Sequence, residues 1–331
     1  MGDDPLRRPL AIGALTVDRR LFMAPMAGIT TPAFRASVRR WGAGLVYTEM
    51  VSACGLHYGD RRTRTYIDLS RDEHPVAVQL FAADPEVLAD AAAQCVAAGA
   101  DLVDINMACP VRKVVKTGAG AAMLAEPQLA AAAVAAVRRA LAAAADRPVP
   151  VTAKLRRGLR EGDELWREVA PRLVEAGAAA LCIHPRTAAQ LYRGAADHAV
   201  TEALARLVPV PVLASGDVRD RATALDLLGR GAAAVMLARH AVGAPWRFAQ
   251  VLGEPEPGAA AKRDEVRRFA ADVLNEMGRR AVGHLRQFWT RFRKSGALDK
   301  PAALALMQAA SPEELAALLG LRRRADGGWE A

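Results

Sequence analysis

The sequence predicts an α/β protein: a (β/α)8 TIM barrel carrying a small all-helical domain at its C-terminus. Three observations lead there. Eight short apolar runs recur before Pro245, Ala- and Leu-rich segments of helical period lie between them, and a polar residue stands near the end of each run. Near-continuous apolar strands separated by helices are the pattern of a parallel sheet covered on its outside by helices. Eight such units suit a closed barrel better than an open sheet.

Taken in order, the strands are expected at Leu21–Pro25, Leu45–Glu49, Val76–Phe81, Leu102–Asn106, Val149–Leu155, Ala180–His184, Val210–Ala214 and Ala234–Ala238. The intervening helices carry ordinary punctuation. Asp84-Pro85-Glu86 opens one with an N-cap, a proline and an acid in the first turn. Gly99 and Gly177 end two of them just before strands.

The residues at the strand ends converge on one mouth of a barrel, the face where such folds build active sites. They are Pro25 and Met26, Glu49, Gln79, Asn106 with Cys109, Lys154, His184 with Arg186, Ser215-Gly216-Asp217, and Arg239. One polar residue there is a loop cap, but eight in register argue for a site. The ends of strands seven and eight form the usual phosphate cradle of this fold. There Gly216 allows backbone N–H groups to approach an anion and Arg239 offers a bidentate partner.

After Ala244 the pattern changes. Residues 1–246 read as the barrel and 247–331 as a helical domain, joined through the Pro/Gly-rich stretch Gly253–Gly258. Helices are expected at Lys262–Gly283 and Ser311–Arg322. The run Arg279–Lys294 has no acid and interleaves Phe288, Trp289 and Phe292 with basic residues. It is either an amphipathic helix with aromatics in the core or a face that tracks a nucleic-acid backbone.

Composition sets the outer limits. The chain has 331 residues, 52% hydrophobic and 24% charged, so a sizeable core is affordable and large-scale disorder is not expected. A net charge of +9 is compatible with a polyanionic partner and equally with an Arg-rich proteome. The four cysteines are scattered, so neither a disulfide framework nor a metal site is indicated. Cys54, Cys95 and Cys182 read as small buried hydrophobes. Cys109 differs: it precedes Pro110 in a strand-end loop beside Arg112, Lys113 and Lys116, cations expected to lower its pKa. With no apolar leader or membrane-length segment, a cytoplasmic protein is expected. Oligomeric state is not written in the sequence, and a monomer is the default.

At this point the residues resemble the bacterial tRNA-dihydrouridine synthases, their B-type subgroup most of all. The matching stretches are Ala24–Thr30, Thr48–Ser52, Val78–Phe81, the long specific motif Asp104–Leu124, Arg186-Thr187, Tyr192–Gly194, Ser215–Asp217 and Gly243–Trp246. The resemblance implies FMN across the barrel mouth, contacted by Pro25, Met26, Ala27, Gln79, Lys154 and His184. The flavin phosphate would meet Ser215, Gly216, Asp217, Ala238 and Arg239. It implies Lys154 as the cation that steadies the reduced flavin's negative charge and Cys109 as general acid, delivering a proton to uracil C5 after hydride reaches C6. Asn106 would orient the uracil, Arg186 and Tyr192 would line the pocket for a flipped-out base, and NADPH would be the reductant. The target would be a D-loop uridine in tRNA, position 17 by similarity.

The chain departs from the family pattern at four places. Thr31 stands where Asp is usual, Pro185 where Gly is usual, Ser215 in place of Asn, and Ala238 in place of Gly. Two other readings compete: a flavin barrel oxidoreductase of a small molecule, and a tRNA-binding chaperone without catalysis.

Overall fold

The computed structural model describes residues 4–69, 71–144 and 147–331. Its centre is an eight-stranded parallel sheet whose strands are β1 (Leu21–Met23), β2 (Val46–Ser52), β3 (Val76–Phe81), β4 (Leu102–Met107), β5 (Val151–Arg156), β6 (Ala180–His184), β7 (Val212–Ser215) and β8 (Ala234–Leu237). Each pairs with its sequence neighbour from β2 to β8, and β8 pairs in turn with β1. The ring closes between β1 and β2, where Phe22 bridges Leu45 and Met23 N–H donates to the Leu45 carbonyl at 2.9 Å. This is the barrel the sequence predicts.

Outside it lie α1 (Pro32–Arg40), α2 (Pro85–Ala97), α3 (Pro127–Ala144), α4 (Trp166–Glu175), α5 (Ala199–Leu207), α6 (Arg221–Gly229) and α7 (Arg247–Val251). Asp84 caps α2 as expected, accepting from the N–H groups of Glu86 and Val87.

Strand periodicity sorts the interior. Phe22, Leu45, Tyr47, Ala77, Leu102, Ala180, Cys182, Leu213, Ala234 and Met236 fill its lower layers as one apolar cluster. A hairpin ahead of the barrel, Leu10–Ile12 with Leu15–Val17, adds Leu10, Ile12 and Val17 to that cluster. The sequence reading missed this hairpin, because each strand has only three residues. Toward the C-terminal ends the same inward positions turn polar: Gln79, Asp104, Asn106, Thr152, Lys154, Arg156 and His184, all buried. Parallel register sets them side by side, with Gln79 opposite Asp104, Asn106 opposite Lys154 and Arg156 opposite His184.

The C-terminal region consists of α8 (Ala259–Met277), α9 (Ala281–Lys294), α10 (Lys300–Gln308), α11 (Pro312–Leu319) and a small terminal hairpin. The single helix expected over Lys262–Gly283 is broken at Gly278, and α10 was not foreseen. Phe288, Trp289 and Phe292 are buried at 0%, 0% and 1% exposure, so of the two readings the amphipathic helix with its aromatics in the core holds, and these rings form no nucleic-acid face. Phe288 packs against Phe269 of α8 at 4.9 Å and against Phe34 of α1 at 6.1 Å. The helical region and the barrel therefore share one hydrophobic core, which also takes in Trp246, Val235 and Leu237. Burying three large aromatics here outweighs leaving them exposed for stacking, at roughly 1.5–3 kcal/mol per side chain.

Candidate active site

The C-terminal mouth of the barrel opens into a cavity of about 420 Å³, within the roughly 300–1,000 Å³ range of cofactor and ligand sites. Its wall takes residues from every strand end and includes Pro25, Met26, Ala27, Gln79, Asn106, Cys109, Lys154, His184 and Tyr192. Ser215, Gly216, Asp217, Ala238 and Arg239 line the β7–β8 side. Of the residues named from the sequence for this mouth, Glu49 and Arg186 do not line the cavity: Glu49 accepts the Gly28 N–H, and Arg186 lies behind the wall. It is 2% exposed, and its two terminal nitrogens donate to the Asp217 carboxylate at 3.1 and 2.7 Å. It also donates to the carbonyls of Arg193 and Gly194, so it braces the loop after β6 against the turn after β7.

A ladder of buried amides and a carboxylate crosses the floor. The Thr152 hydroxyl donates to Asp104 Oδ1 at 2.6 Å, and Gln79 Nε2 donates to Asp104 Oδ2 at 2.6 Å. Asn106 Nδ2 donates to Gln79 Oε1 at 2.7 Å, and Asn106 Oδ1 accepts the N–H groups of Ala108 and Cys109 at 3.1 and 2.8 Å. Burial pushes the Asp104 carboxyl up to about 6, while the two donors and the Lys154 charge pull it back. Each link is satisfied, as a buried polar group must be.

Cys109 is half-buried at the edge of the cavity. Burial pushes its thiol up from the usual value, and the Val111 N–H and the Arg156 charge offset only part of that. This corrects the expectation of a lowered thiol. Arg112, Lys113 and Lys116 are exposed, and water screens them. The nearer cation, Arg156, was missed although it lies two residues beyond Lys154 on the same inward face. Its guanidinium donates to the carbonyls of Ala108, Thr187 and Leu191 at 2.7, 2.9 and 3.1 Å, tying the Cys109 loop to the loop after β6.

Lys154 is 7% exposed, and its charge acts on both the Cys182 thiol and the Asp104 carboxyl. His184 is held far down, at about 2, by burial and by Lys154, Arg156, Arg186 and Arg239, so its ring is neutral. Arg186 donates to its Nε2 at 3.2 Å, which leaves the ring proton on Nδ1. Gly216 lies against His184 at φ +103, where a Cβ would come within 2.5 Å of the imidazole. Ala238 has φ −126, outside the left-handed region that would call for glycine. Tyr192 is exposed and lies under the Arg239 guanidinium at 4.5 Å. Cys95 and Cys182 are buried as expected, whereas Cys54 is exposed. Among the described residues no cluster of metal ligands forms, and no helix is long and apolar enough to cross a membrane.

The family model for dihydrouridine synthase (Dus) matches residues 22–295. The chain belongs to the dihydrouridine synthase family. tRNA-dihydrouridine synthase B of Pseudomonas aeruginosa is 37% identical over 272 residues, covering 80% of each chain. Probable tRNA-dihydrouridine synthase 1 of Synechocystis sp. is 39% identical over 246 residues, 74% of this chain and 67% of its own. In fold the chain is similar to morphinone reductase, with a TM-score of 0.57 at 17% identity over 77% of this chain and 93% of that one. The family is one of oxidoreductases. The wall also includes Met50, which falls within the Thr48–Ser52 match, and Arg291, which falls within the basic run Arg279–Lys294 and reaches the cavity from α9; neither was singled out by the sequence.

Proposed function

We propose that the protein reduces the C5–C6 bond of a uridine in tRNA to dihydrouridine, with FMN as cofactor, NADPH as reductant and Cys109 as proton donor. One observation carries the reading: a half-buried thiol, pushed up by burial, borders the same cavity as a buried lysine that forms no ion pair with a carboxylate among the described residues. The relatives' names supply the tRNA substrate.

The residues present fit a flavin. A buried ammonium left without a carboxylate partner is costly and calls for an electron-rich ligand, here the pyrimidine edge of the isoalloxazine at Lys154. On the β7–β8 side, Gly216 leaves a cradle that a Cβ would fill, beside the exposed cation Arg239. Ser215 and the backbone of Asp217 complete that cradle, since the Asp217 carboxylate is engaged by Arg186 and the Ala196 N–H. Pro25, Met26, Ala27, Gln79, His184 and Ala238 would contact the bound cofactor from the cavity wall.

When bound, the flavin supplies a hydride to uracil C6. The chain's own task is then a proton at C5. Cys109 Sγ holds that proton because burial disfavours its thiolate, and the thiolate left behind regains it from water. Asn106 fixes the Cys109 N–H through Oδ1 and keeps one Nδ2 hydrogen, now directed only at Met50 Sδ 3.9 Å away, for the uracil edge. A stacked base cannot reach this cavity, so the uridine must be flipped out, with Tyr192 at the rim as a stacking platform. Arg186 acts from behind by bracing the Tyr192 loop. Residues 1–246 serve as the catalytic barrel and 247–331 as the RNA-docking part. A D-loop position, 17 by similarity, and a cytoplasmic setting complete the proposal.

The test is incubation of purified protein with FMN, NADPH and unmodified tRNA, followed by nucleoside mass spectrometry. Dihydrouridine that depends on all three supports the reading. Binding of FMN and tRNA with no dihydrouridine would instead favour a tRNA-binding role without catalysis.

A further inference from the structure

Helix α9 meets the barrel mouth at two points one turn apart. Gln287 Nε2 donates to the Gly28 carbonyl at 3.0 Å, and Arg291, four residues on, lines the cavity. Residues i and i+4 share a helix face, so one face of α9 makes both contacts. The same glycine is held from the other side, because its N–H donates to the Glu49 carboxylate in the middle of β2. Gly28 has φ +72, a conformation glycine supplies without strain. Met26, Ala27 and Ile29 around it all line the cavity.

Gln287 is itself oriented. Its Nε2 also reaches His284 Nδ1 at 3.3 Å, and burial depresses the His284 pKa, so the ring stays neutral and accepts at Nδ1. No carboxylate lies within ion-pair reach of Arg291 among the described residues, and β8's exit packs tightly beneath it: a Cβ on Gly243 would come within 2.4 Å of the Arg291 Cβ. An exposed, unpaired arginine at the rim of an RNA-modifying cavity fits a phosphodiester flanking the target nucleotide.

We propose that Gln287 is a positioning residue: by holding the Gly28 carbonyl it links RNA seated on Arg291 to the Pro25–Ile29 segment along the cofactor cavity. This rests on the tRNA reading above. The link is a coupling between two ligands, and such coupling is reciprocal. RNA that fixes α9 tightens flavin binding, and flavin tightens RNA binding.

The experiment titrates FMN into the protein by fluorescence, with and without unmodified tRNA. In the unsubstituted protein tRNA should tighten FMN by about fivefold or more, the lower range of measured couplings. Gln287→Leu removes the donor at similar size. It should bind FMN alone normally, lose the tRNA-dependent tightening, and lower kcat for dihydrouridine by about tenfold while KM for tRNA stays near normal, as small misplacements of a site do. Gln287→Lys restores a donor and should restore the tightening, which a merely unstable variant would not do. Arg291→Ala should raise KM for tRNA and leave FMN binding without RNA unchanged. Flavin affinity that ignores tRNA in the unsubstituted protein, or responds equally in Gln287→Leu, overturns the proposal. A protein that makes no dihydrouridine yet shows coupling through Gln287 would refute the reaction and leave the link standing.

Discussion

Asn106 Oδ1 accepts the backbone N–H of Cys109 at 2.8 Å, and the Cys109 carbonyl in turn accepts the Ala121 N–H at 3.0 Å. The thiol-bearing residue is therefore pinned on both sides by groups that do not react. Asn106 is anchored through Gln79, Asp104 and Thr152 into the barrel floor. Position and protonation of the thiol come from different sources: the ladder sets where it is, and burial sets that it is SH.

That separation predicts the effect of Asn106→Ala. The Cys109 and Ala108 N–H groups lose their acceptor, at a cost of about 1–3 kcal/mol of stability for buried donors left unpaired. Turnover on tRNA should fall about a hundredfold, because a misplaced acid loses its alignment. FMN binding should change far less. Thermal melts and single-turnover assays check both parts.

The pH profile follows from the direction of the Cys109 shift. Burial raises the thiol above its usual value of 9.0, and the acid form is the active one. The single-turnover rate should therefore stay flat through neutral pH and fall only above about pH 9, as the thiol ionises. A rate that rises with pH across neutrality would mean that a thiolate acts instead.

Gly216→Ala places a methyl 2.5 Å from His184 at φ +103. Backbone strain of this kind costs about 1–3 kcal/mol, and the imidazole must move out of the cavity wall. Flavin affinity should drop more than stability, which equilibrium dialysis against FMN would reveal alongside a melting curve.

Glu276 of α8 accepts the Ala33 N–H at 3.0 Å, at the junction between α8 and α1. Its carboxyl is pushed up from 4.5 to about 7, chiefly by desolvation and also by Glu49 and Glu73, against the Ala33 N–H and Arg35. The folded state thus holds the proton more tightly than the unfolded chain does. The stabilisation is complete below pH 4.5 and is lost as pH rises through about 7. Because Glu276 keeps solvent access, screening shrinks the effect. Glu276→Gln should flatten the dependence, melting closer to the parent at about pH 5 and comparatively higher at about pH 8. Parallel slopes for the two proteins would rule the carboxyl out.

Much of this site was legible in the sequence because strand periodicity and barrel topology fix where strand ends go. Gln79, Asn106, Cys109, Lys154 and His184 stand on one cavity wall, as their places at strand ends implied. What escaped depends on side-chain contacts far apart in the chain. Arg186 carries a polar signature yet is turned away to Asp217, 31 residues on, a pairing that spacing cannot reveal. Phe288, Trp289 and Phe292 look the same in sequence whether they face RNA or Phe34, and only packing decides. Arg291 and Gln287 reach the mouth because α9 docks across the barrel, a placement no local pattern encodes. The sign of the Cys109 shift is hidden for a related reason: the sequence shows Arg112, Lys113 and Lys116 beside it, whereas burial outweighs the charge of Arg156.

The most direct test compares the unsubstituted protein with Cys109→Ala, each reduced with NADPH, mixed with unmodified tRNA and assayed by nucleoside mass spectrometry. The account predicts dihydrouridine from the first, and from the variant normal flavin content and NADPH oxidation with a dihydrouridine rate lower by about a hundredfold or more, the usual weight of a general acid. Equal dihydrouridine formation by both proteins would contradict it.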